Sequence, residues 1–294
     1  MFFSIVIPSF NSNYIERTIQ SVVQQNYSGW ELIIVDNNSS NNISDLVKNY
    51  RDYPIKLINI ANKGIIAKSR NLGILESKFN WICFLDSDDF WVQDKLFEVK
   101  KFIEMNGLKK GILYHSVANS NKKNNKGKLL KNLSKKISKP YFDNLLINGN
   151  YIAQSSVIVD KHTLHSVNMY DENVKKFSWE DYDLWLRLSK SNNNFYHINK
   201  TLGYIWTEEE EGRISNQKQS FINSLNFLHY YKNDLKKITH NNYVYSQVYK
   251  DILNYYFNTK SFLKFFVQFK KIKKKNFKMY IKFVLIFFYR FQKK

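Results

Sequence analysis

The chain opens with a short β-branched apolar run, Ser4–Pro8, and then places apolar or small residues at Ile15, Ile19, Val22 and Val23. The first pattern predicts a buried strand ending at Pro8. The second predicts a helix over Tyr14–Gln25. The alternation then repeats. Glu31–Val35 predicts a second strand ending at Asp36, Ser44–Tyr50 a short helix, and Ile55–Ile60 a third strand. Ile65–Glu76 predicts a helix opening just after Gly64, and Trp81–Leu85 a fourth strand ending at Asp86. Strand–helix alternation of this kind predicts an α/β fold, a Rossmann-like, mainly parallel sheet flanked by helices. Ligands of such sheets bind beyond the carboxyl ends of the strands, where Asp36 and Asp86 both sit.

Further along, Asn119–Lys139 is rich in Lys, Asn and Ser and predicts an excursion loop. Tyr151–Val159 predicts a strand and Trp179–Ser189 a helix. After about residue 217 the pattern turns helical, aromatic and basic, and no internal repeat is present. These shifts predict one domain over 1–216, in two halves that meet near residue 115. A helical extension follows over 217–294.

Composition narrows this picture. With 294 residues and 44% apolar content, the chain can bury one sizeable core and carry an appendage. Its single cysteine, Cys83, excludes an intrachain disulfide. The apolar start lacks a basic flank, so no export signal is predicted. No run of 18 apolar residues occurs, so no membrane span is predicted either. The net charge of +20 is uneven: residues 250–294 hold thirteen Lys or Arg against the single acid Asp251, which is +12 of the total. Such asymmetry points to a polyanionic partner for the tail.

The strongest chemical signal is Asp86-Ser87-Asp88-Asp89, directly after the fourth strand. Residues two apart in an extended chain face one way, so Asp86 and Asp88 project together. Two carboxylates side by side call for a hard divalent cation, Mg²⁺ or Mn²⁺, completed by phosphate oxygens. The plainer alternative is a solvated turn and helix N-cap before Phe90-Trp91. Asp36 suits a nucleoside hydrogen bond, or equally an Asx-turn into the Asn/Ser loop behind it. The loop Pro8-Ser9-Phe10-Asn11 has neither a dinucleotide Gly fingerprint nor a P-loop. Phe10 either stacks on a base or packs in the core. Asn62-Lys63-Gly64 opens the helix that carries Arg70, which reads as a phosphate site or as a solvated basic face. Ser178 and Asp181 form a capping pair by pattern. Asp181 also reads as a general base, and its place at a helix start predicts a lowered pKa and an ionised carboxylate.

Taken together, the motifs resemble the family 2 glycosyltransferases with the GT-A fold. They are Ser4-Ile5-Val6-Ile7-Pro8-Ser9-Phe10-Asn11, Ser21-Val22-x-x-Gln25 and Glu31-Leu32-Ile33-Ile34-Val35-Asp36-Asn37-x-Ser39. Asn62-x-Gly64, Arg70-Asn71-x-Gly73, Phe84-Leu85-Asp86-Ser87-Asp88-Asp89, and Glu180-Asp181 with Trp185 complete the set. The resemblance covers about residues 3–215 and implies a catalytic domain over 1–216, with a nucleotide-sugar half over about 1–115 and an acceptor half over about 116–216. It implies an inverting transfer from a nucleotide sugar, commonly a UDP-sugar, by a hexosyl- or N-acetylhexosaminyltransferase. It implies that Pro8, Phe10 and Asp36 line a uridine pocket, with Asn11 and Gly64 beside it and Arg70 near the donor. Asp86 would meet the ribose or metal, Ser87 would contact the nucleotide sugar, and Asp88 would hold Mn²⁺ or Mg²⁺ on the diphosphate. Asp181 would deprotonate the acceptor hydroxyl. Many relatives carry Tyr-Arg-x-His after the base helix. Here Gly203–Thr207, four glutamates and Gly212-Arg213 stand instead, so a histidine ligand is lacking and Arg213 is left to reach the diphosphate.

In the tail, Phe262, Phe265, Phe266, Phe269 and Ile272 recur at helical spacing, with Lys264, Lys271, Lys274 and Lys275 mostly opposite and Lys273 out of pattern. Tyr280, Ile281, Phe283, Val284, Phe287 and Phe288 follow, between Lys282 and Arg290 or just ahead of them. A cationic aromatic helix suits an anionic membrane surface, or packs on the domain or a second copy. The first reading fits a glycan or lipid-linked acceptor. It also predicts a cytoplasmic protein, peripheral on the inner membrane's cytoplasmic face and serving surface polysaccharide or lipooligosaccharide assembly. The competing readings are a sugar-phosphate nucleotidyltransferase, which lacks its Gly-rich loop here, and a basic nucleic-acid-binding protein. The basic residues lie away from the acidic motif, so no nucleic-acid partner is predicted.

Overall fold

A computed structural model describes residues 1–120, 134–173, 179–191, 193–207, 214–238, 246–259 and 261–271. Ser178, the glutamates 208–211, Arg213, residues 121–133 of the excursion loop and the tail from Ile272 onward lie outside them.

Two compact units are present. The first comprises Met1–Tyr141, Asn150–Glu172 and Glu180–Glu209. It holds an eight-stranded sheet. Strands β1 (Phe3–Ser9), β2 (Trp30–Asp36), β3 (Ile55–Asn59) and β4 (Trp81–Phe84) are parallel, with β1 central between β2 and β4. Helices α1 (Ile15–Val23), α2 (Ile43–Lys48) and α3 (Ile66–Glu76) connect them. β1 and β2 are buried along their whole length, which is why both read as unbroken apolar runs. On one face Ile5, Ile7, Leu32 and Ile34 join Ile15, Ile19 and Val22 of α1 in the core. On the other, α3 lies so close to β1 that a Cβ on Gly73 would stand 2.3 Å from Val6 Cγ1. Full burial of one such Ile or Val contributes about 1.5–3 kcal/mol.

Beyond β4 the sheet becomes mixed. After β5 (Phe90–Trp91) and α4 (Lys95–Met105) comes β6 (Ile112–Ser120). After α5 (Tyr141–Asn148) a single 3₁₀ turn, Gln154–Ser156, leads into β7 (Val157–Asp160), which runs antiparallel to β4 and β6. The strand expected over Tyr151–Val159 is therefore shorter and begins later. Gln154 and Ser155 are buried in the turn instead of paired in the sheet. Short α6 (Lys161–His165) follows, then α7 (Glu180–Lys190) and β8 (Phe195–Trp206). β8 pairs parallel with β6 and antiparallel with β5.

The second unit comprises Phe142–Gly149, Asn173–Trp179 and Glu210–Lys294. Its described part is helical: α8 (Ile214–Tyr230), α9 (Lys232–Ile238), α10 (Ser246–Asn258) and α11 (Phe262–Lys271). Phe221 stacks on Tyr255, with ring centroids 4.1 Å apart, and ties α8 to α10. Among the described residues, no helix is long and apolar enough to cross a membrane.

Candidate active site

The ends of β1 and β4 open onto a cavity of about 520 Å³. Seven of the residues singled out from the sequence share its wall: Pro8, Phe10, Asn11, Gly64, Asp86, Ser87 and Asp88. Phe10 is 60% exposed at its edge, which removes the core reading for that ring. Asn11 has a left-handed backbone, φ 48°, a conformation Asn tolerates better than most residues. Its side chain accepts from the Ser40 backbone N–H at 2.7 Å, locking the first loop to the second.

Asp36 is not in that wall. It is 5% exposed and accepts the Ser39 backbone N–H at 3.0 Å and the Ser39 hydroxyl. The Asx-turn therefore engages this carboxylate. Its neighbour Asn37 lines the cavity and accepts the Asn62 N–H at 2.8 Å.

The acidic run is held by its backbone. Ser12 and Thr18 hydroxyls donate to the Ser87 carbonyl at 2.8 and 3.0 Å. Thr18 also donates to the Asp89 carbonyl at 2.8 Å, and Arg17 Nη2 to the Asp88 carbonyl at 2.6 Å. The Arg17 guanidinium lies 4.2–4.9 Å from the ring centroids of Tyr14, Phe90 and Trp206. With the backbone pinned, the three acids diverge. Asp89 turns inward, taking the Ser155 hydroxyl at 2.5 Å and the Trp206 N–H at 2.9 Å. Burial, then repulsion from Asp86 and Asp88, pushes its carboxyl well up. Asp88 faces the cavity, and burial followed by Asp86 raises it too. Asp86 receives Arg70 Nη2 at 2.8 Å.

Arg70 departs from its expected place beside the donor. It is 3% exposed and absent from the cavity wall, and its Nη1 donates to Glu180 Oε1 at 2.5 Å. Burial alone would lower its pKa, but Asp86 and Glu180 outweigh this and hold the guanidinium charged.

Asp181 opens α7 next to Glu180. The expected lowered pKa is reversed. Burial first, and the Glu180 charge second, push the Asp181 carboxyl up to about 7, against Arg70 and the Tyr182 N–H. A helix start offers a few tenths to about 1 kcal/mol to an exposed anion, less than desolvation costs here. Asn150 Nδ2 donates to Asp181 Oδ2 at 2.9 Å.

Further polar residues that the sequence did not single out help to build the site, among them Arg17, Thr18, Asn150 and Ser155. Only Thr18 carried a signal, a polar residue beside Ile19 on the apolar face of α1. Among the described residues, no cluster of three His, Cys, Asp or Glu side chains is arranged to hold a metal. Among the described residues, any ion at Asp86 and Asp88 would find no third protein ligand of these types and would be completed by other oxygens, such as those of phosphate or water. Two carboxylates of one cavity, with the repulsion that raises Asp88, fit a hard divalent cation in this way.

Residues 4–153 match the family profile described as Glycosyl transferase family 2. A glycosyltransferase of Rickettsia conorii is 31% identical over 221 residues, 74% of this chain but 34% of the relative. The chain thus spans about a third of that relative's length. The Escherichia coli UDP-Glc:alpha-D-GlcNAc-diphosphoundecaprenol beta-1,3-glucosyltransferase WfgD is 32% identical over 191 residues, 65% of this chain and 70% of the relative. Among solved structures, Staphylococcus aureus TarS 1–349 with UDP-GlcNAc aligns over 89% of this chain and 73% of its own, with TM-score 0.59 and 18% identity. The Pyrobaculum calidifontis mannosyltransferase with GDP-Man and Mn²⁺ aligns over 92% and 73%, with TM-score 0.58 and 11% identity. These two likenesses establish the GT-A fold. The matched profile and the E. coli relative, together with the mixed sheet and its acid-walled cavity, place the chain in glycosyltransferase family 2.

Proposed function

We propose that this chain transfers a sugar from a UDP-sugar to a hydroxyl of a glycan or lipid-linked acceptor, with inversion, in cell-surface polysaccharide assembly. The observation that carries the reading is the cavity at the ends of β1 and β4, walled by Asp86 and Asp88, with Arg70 linking Asp86 to Glu180 beside Asp181, an acid outside the cavity wall whose pKa is pushed up to about 7. The E. coli relative's name states a UDP-sugar donor and a diphospho-lipid acceptor, which supports the same classes here. Family membership leaves the nucleotidyltransferase and nucleic-acid readings without support.

In this reading Phe10 stacks on the base, Pro8, Asn11 and Gly64 shape its pocket, and Asp36 stiffens the loop beneath through Ser39. Ser87 and Asp86 face the ribose and diphosphate. Asp88 and Asp86 hold Mn²⁺ or Mg²⁺, which when bound supplies the charge sink for the departing diphosphate. Asp181 takes the proton of the acceptor hydroxyl. That oxygen then bonds to the anomeric carbon from the face opposite the leaving group, and the bond to the nucleoside diphosphate breaks. One base and one leaving-group sink suffice for a single displacement, whereas a hydrolase needs paired carboxylates flanking the bond. Arg213, outside the described residues, stays a candidate for the diphosphate.

Calorimetry with UDP, with and without Mn²⁺, tests the reading. Binding that requires the metal is expected, and absence of UDP binding under both conditions would refute it. We further propose that the basic tail contacts an anionic membrane surface, supported by Leu263 and Val267 of α11, which are 73% and 50% exposed beside Lys264. Truncation after residue 258 is expected to abolish sedimentation with anionic vesicles; unchanged sedimentation would reject the contact.

A further inference from the structure

Behind the cavity wall, one buried cation joins the two ends of the site. Arg70 reaches Asp86 Oδ1 with Nη2 at 2.8 Å and Glu180 Oε1 with Nη1 at 2.5 Å. Asp86 follows β4 and lines the cavity. Glu180 opens α7 and precedes Asp181 in the chain. Arg70 has little freedom to do anything else. The Tyr170 ring lies 5.5 Å from its guanidinium carbon. That tyrosine is pinned in turn: its hydroxyl accepts from Gln154 Nε2 at 2.6 Å, and its backbone N–H donates to Asn71 Oδ1 at 2.9 Å. Asn71 sits beside Arg70 on α3, so the helix that carries the cation also carries its support.

Stability does not account for this arrangement. A buried ion triad is often no more stabilising than apolar residues of the same volume. The planar fork of a guanidinium instead holds two carboxylates at a set separation, which a lysine ammonium does not. We propose that Arg70 and Glu180 are positioning residues: their ion pair fixes the start of α7, and with it Asp181, relative to Asp86. Neither lines the cavity. Asn150 Nδ2 also donates to Asp181 Oδ2 and steadies the carboxylate. The inference rests on the transferase reading above and adds how the base is aligned.

The test uses UDP as binding probe and a panel of UDP-sugars, screened first for UDP release by the wild-type chain. Glu180→Ala is expected to lower kcat by roughly 100-fold, the penalty of a misplaced base, while UDP affinity in Mn²⁺ and donor KM stay within about two-fold of wild type on the same positioning argument. Glu180→Gln keeps an acceptor oxygen for Arg70 and is expected to recover about tenfold of the loss. Should Glu180→Ala fail to fold, Glu180→Gln alone is read against wild type, with a lowered kcat and unchanged UDP affinity expected. Wild-type kcat in Glu180→Ala, or in Glu180→Gln where only that variant folds, would overturn the assignment, and so would a loss of UDP affinity as large as the loss of kcat. If the wild-type chain binds no UDP, or Asp181→Asn keeps its full rate, the transferase reading fails instead.

Discussion

Two acidic clusters about ninety residues apart, Asp86–Asp89 and Glu180–Asp181, meet the same cation and are sorted by it. Arg70 pairs with one acid from each, Asp86 and Glu180. Among the acids it leaves unpaired, Asp88, Asp181 and the inward-turned Asp89 all have carboxyls that burial and a neighbouring charge push upward. Under the proposed function the two outcomes serve different chemistry. A raised acid in a cavity wall next to a second carboxylate is relieved by a cation. A raised acid that stands at a helix start, with an amide on one oxygen, is matched to proton transfer near neutral pH. The surroundings of each acid thus part the clusters: Arg70 pairs Asp86 and Glu180, while Ser155 and Trp206 turn Asp89 inward.

The sharpest way to break this comparison is Asp181→Asn. It keeps the size and the contact with Asn150 but removes the base, and transfer is expected to fall by roughly 10²–10⁴-fold with UDP affinity intact; a rate assay beside calorimetry reads both. Within the first cluster, Asp88→Ala is expected to abolish the Mn²⁺-dependent part of UDP binding, a loss of about tenfold or more. Asp89→Ala is expected to act on stability, by about 1–3 kcal/mol, because the Ser155 hydroxyl and Trp206 N–H lose their acceptor. Calorimetric affinity and thermal unfolding on the same two variants separate the roles, and equal UDP affinities in the two would collapse the distinction. The smallest effect is on pH. Asp181 must be deprotonated to act, so kcat/KM should rise as pH increases through about 7 and level off above it. Glu180→Gln removes a charge that raises Asp181, which moves this limb to lower pH; a limb left in place would show that Glu180 does not act on the base.

Much of this was legible along the chain. β1 to β4 and the helices between them follow from apolar runs and helical spacing, because burial on both faces of a parallel sheet leaves a local imprint. β6 and β8 left none. His115 and Ser116 interrupt the apolar pattern of β6 yet are fully buried, and β8 carries Asn199 and Lys200 in mid-strand. Those strands are specified by each other, with register shifts around Ser116, and not by their own periodicity.

The sequence by itself determined the first half of the sheet, the acids at its strand ends and the family, since each is a matter of residue type and order over short spans. The tertiary structure alone decided what those acids became. Asp36 was engaged by its turn, Asp89 by the interior and Asp86 by Arg70, while Asp181 was raised against the helix-start effect that its position predicted. Desolvation and ion pairing depend on groups brought together across the chain, as Arg70 and Glu180 are, 110 residues apart, and no local pattern records them.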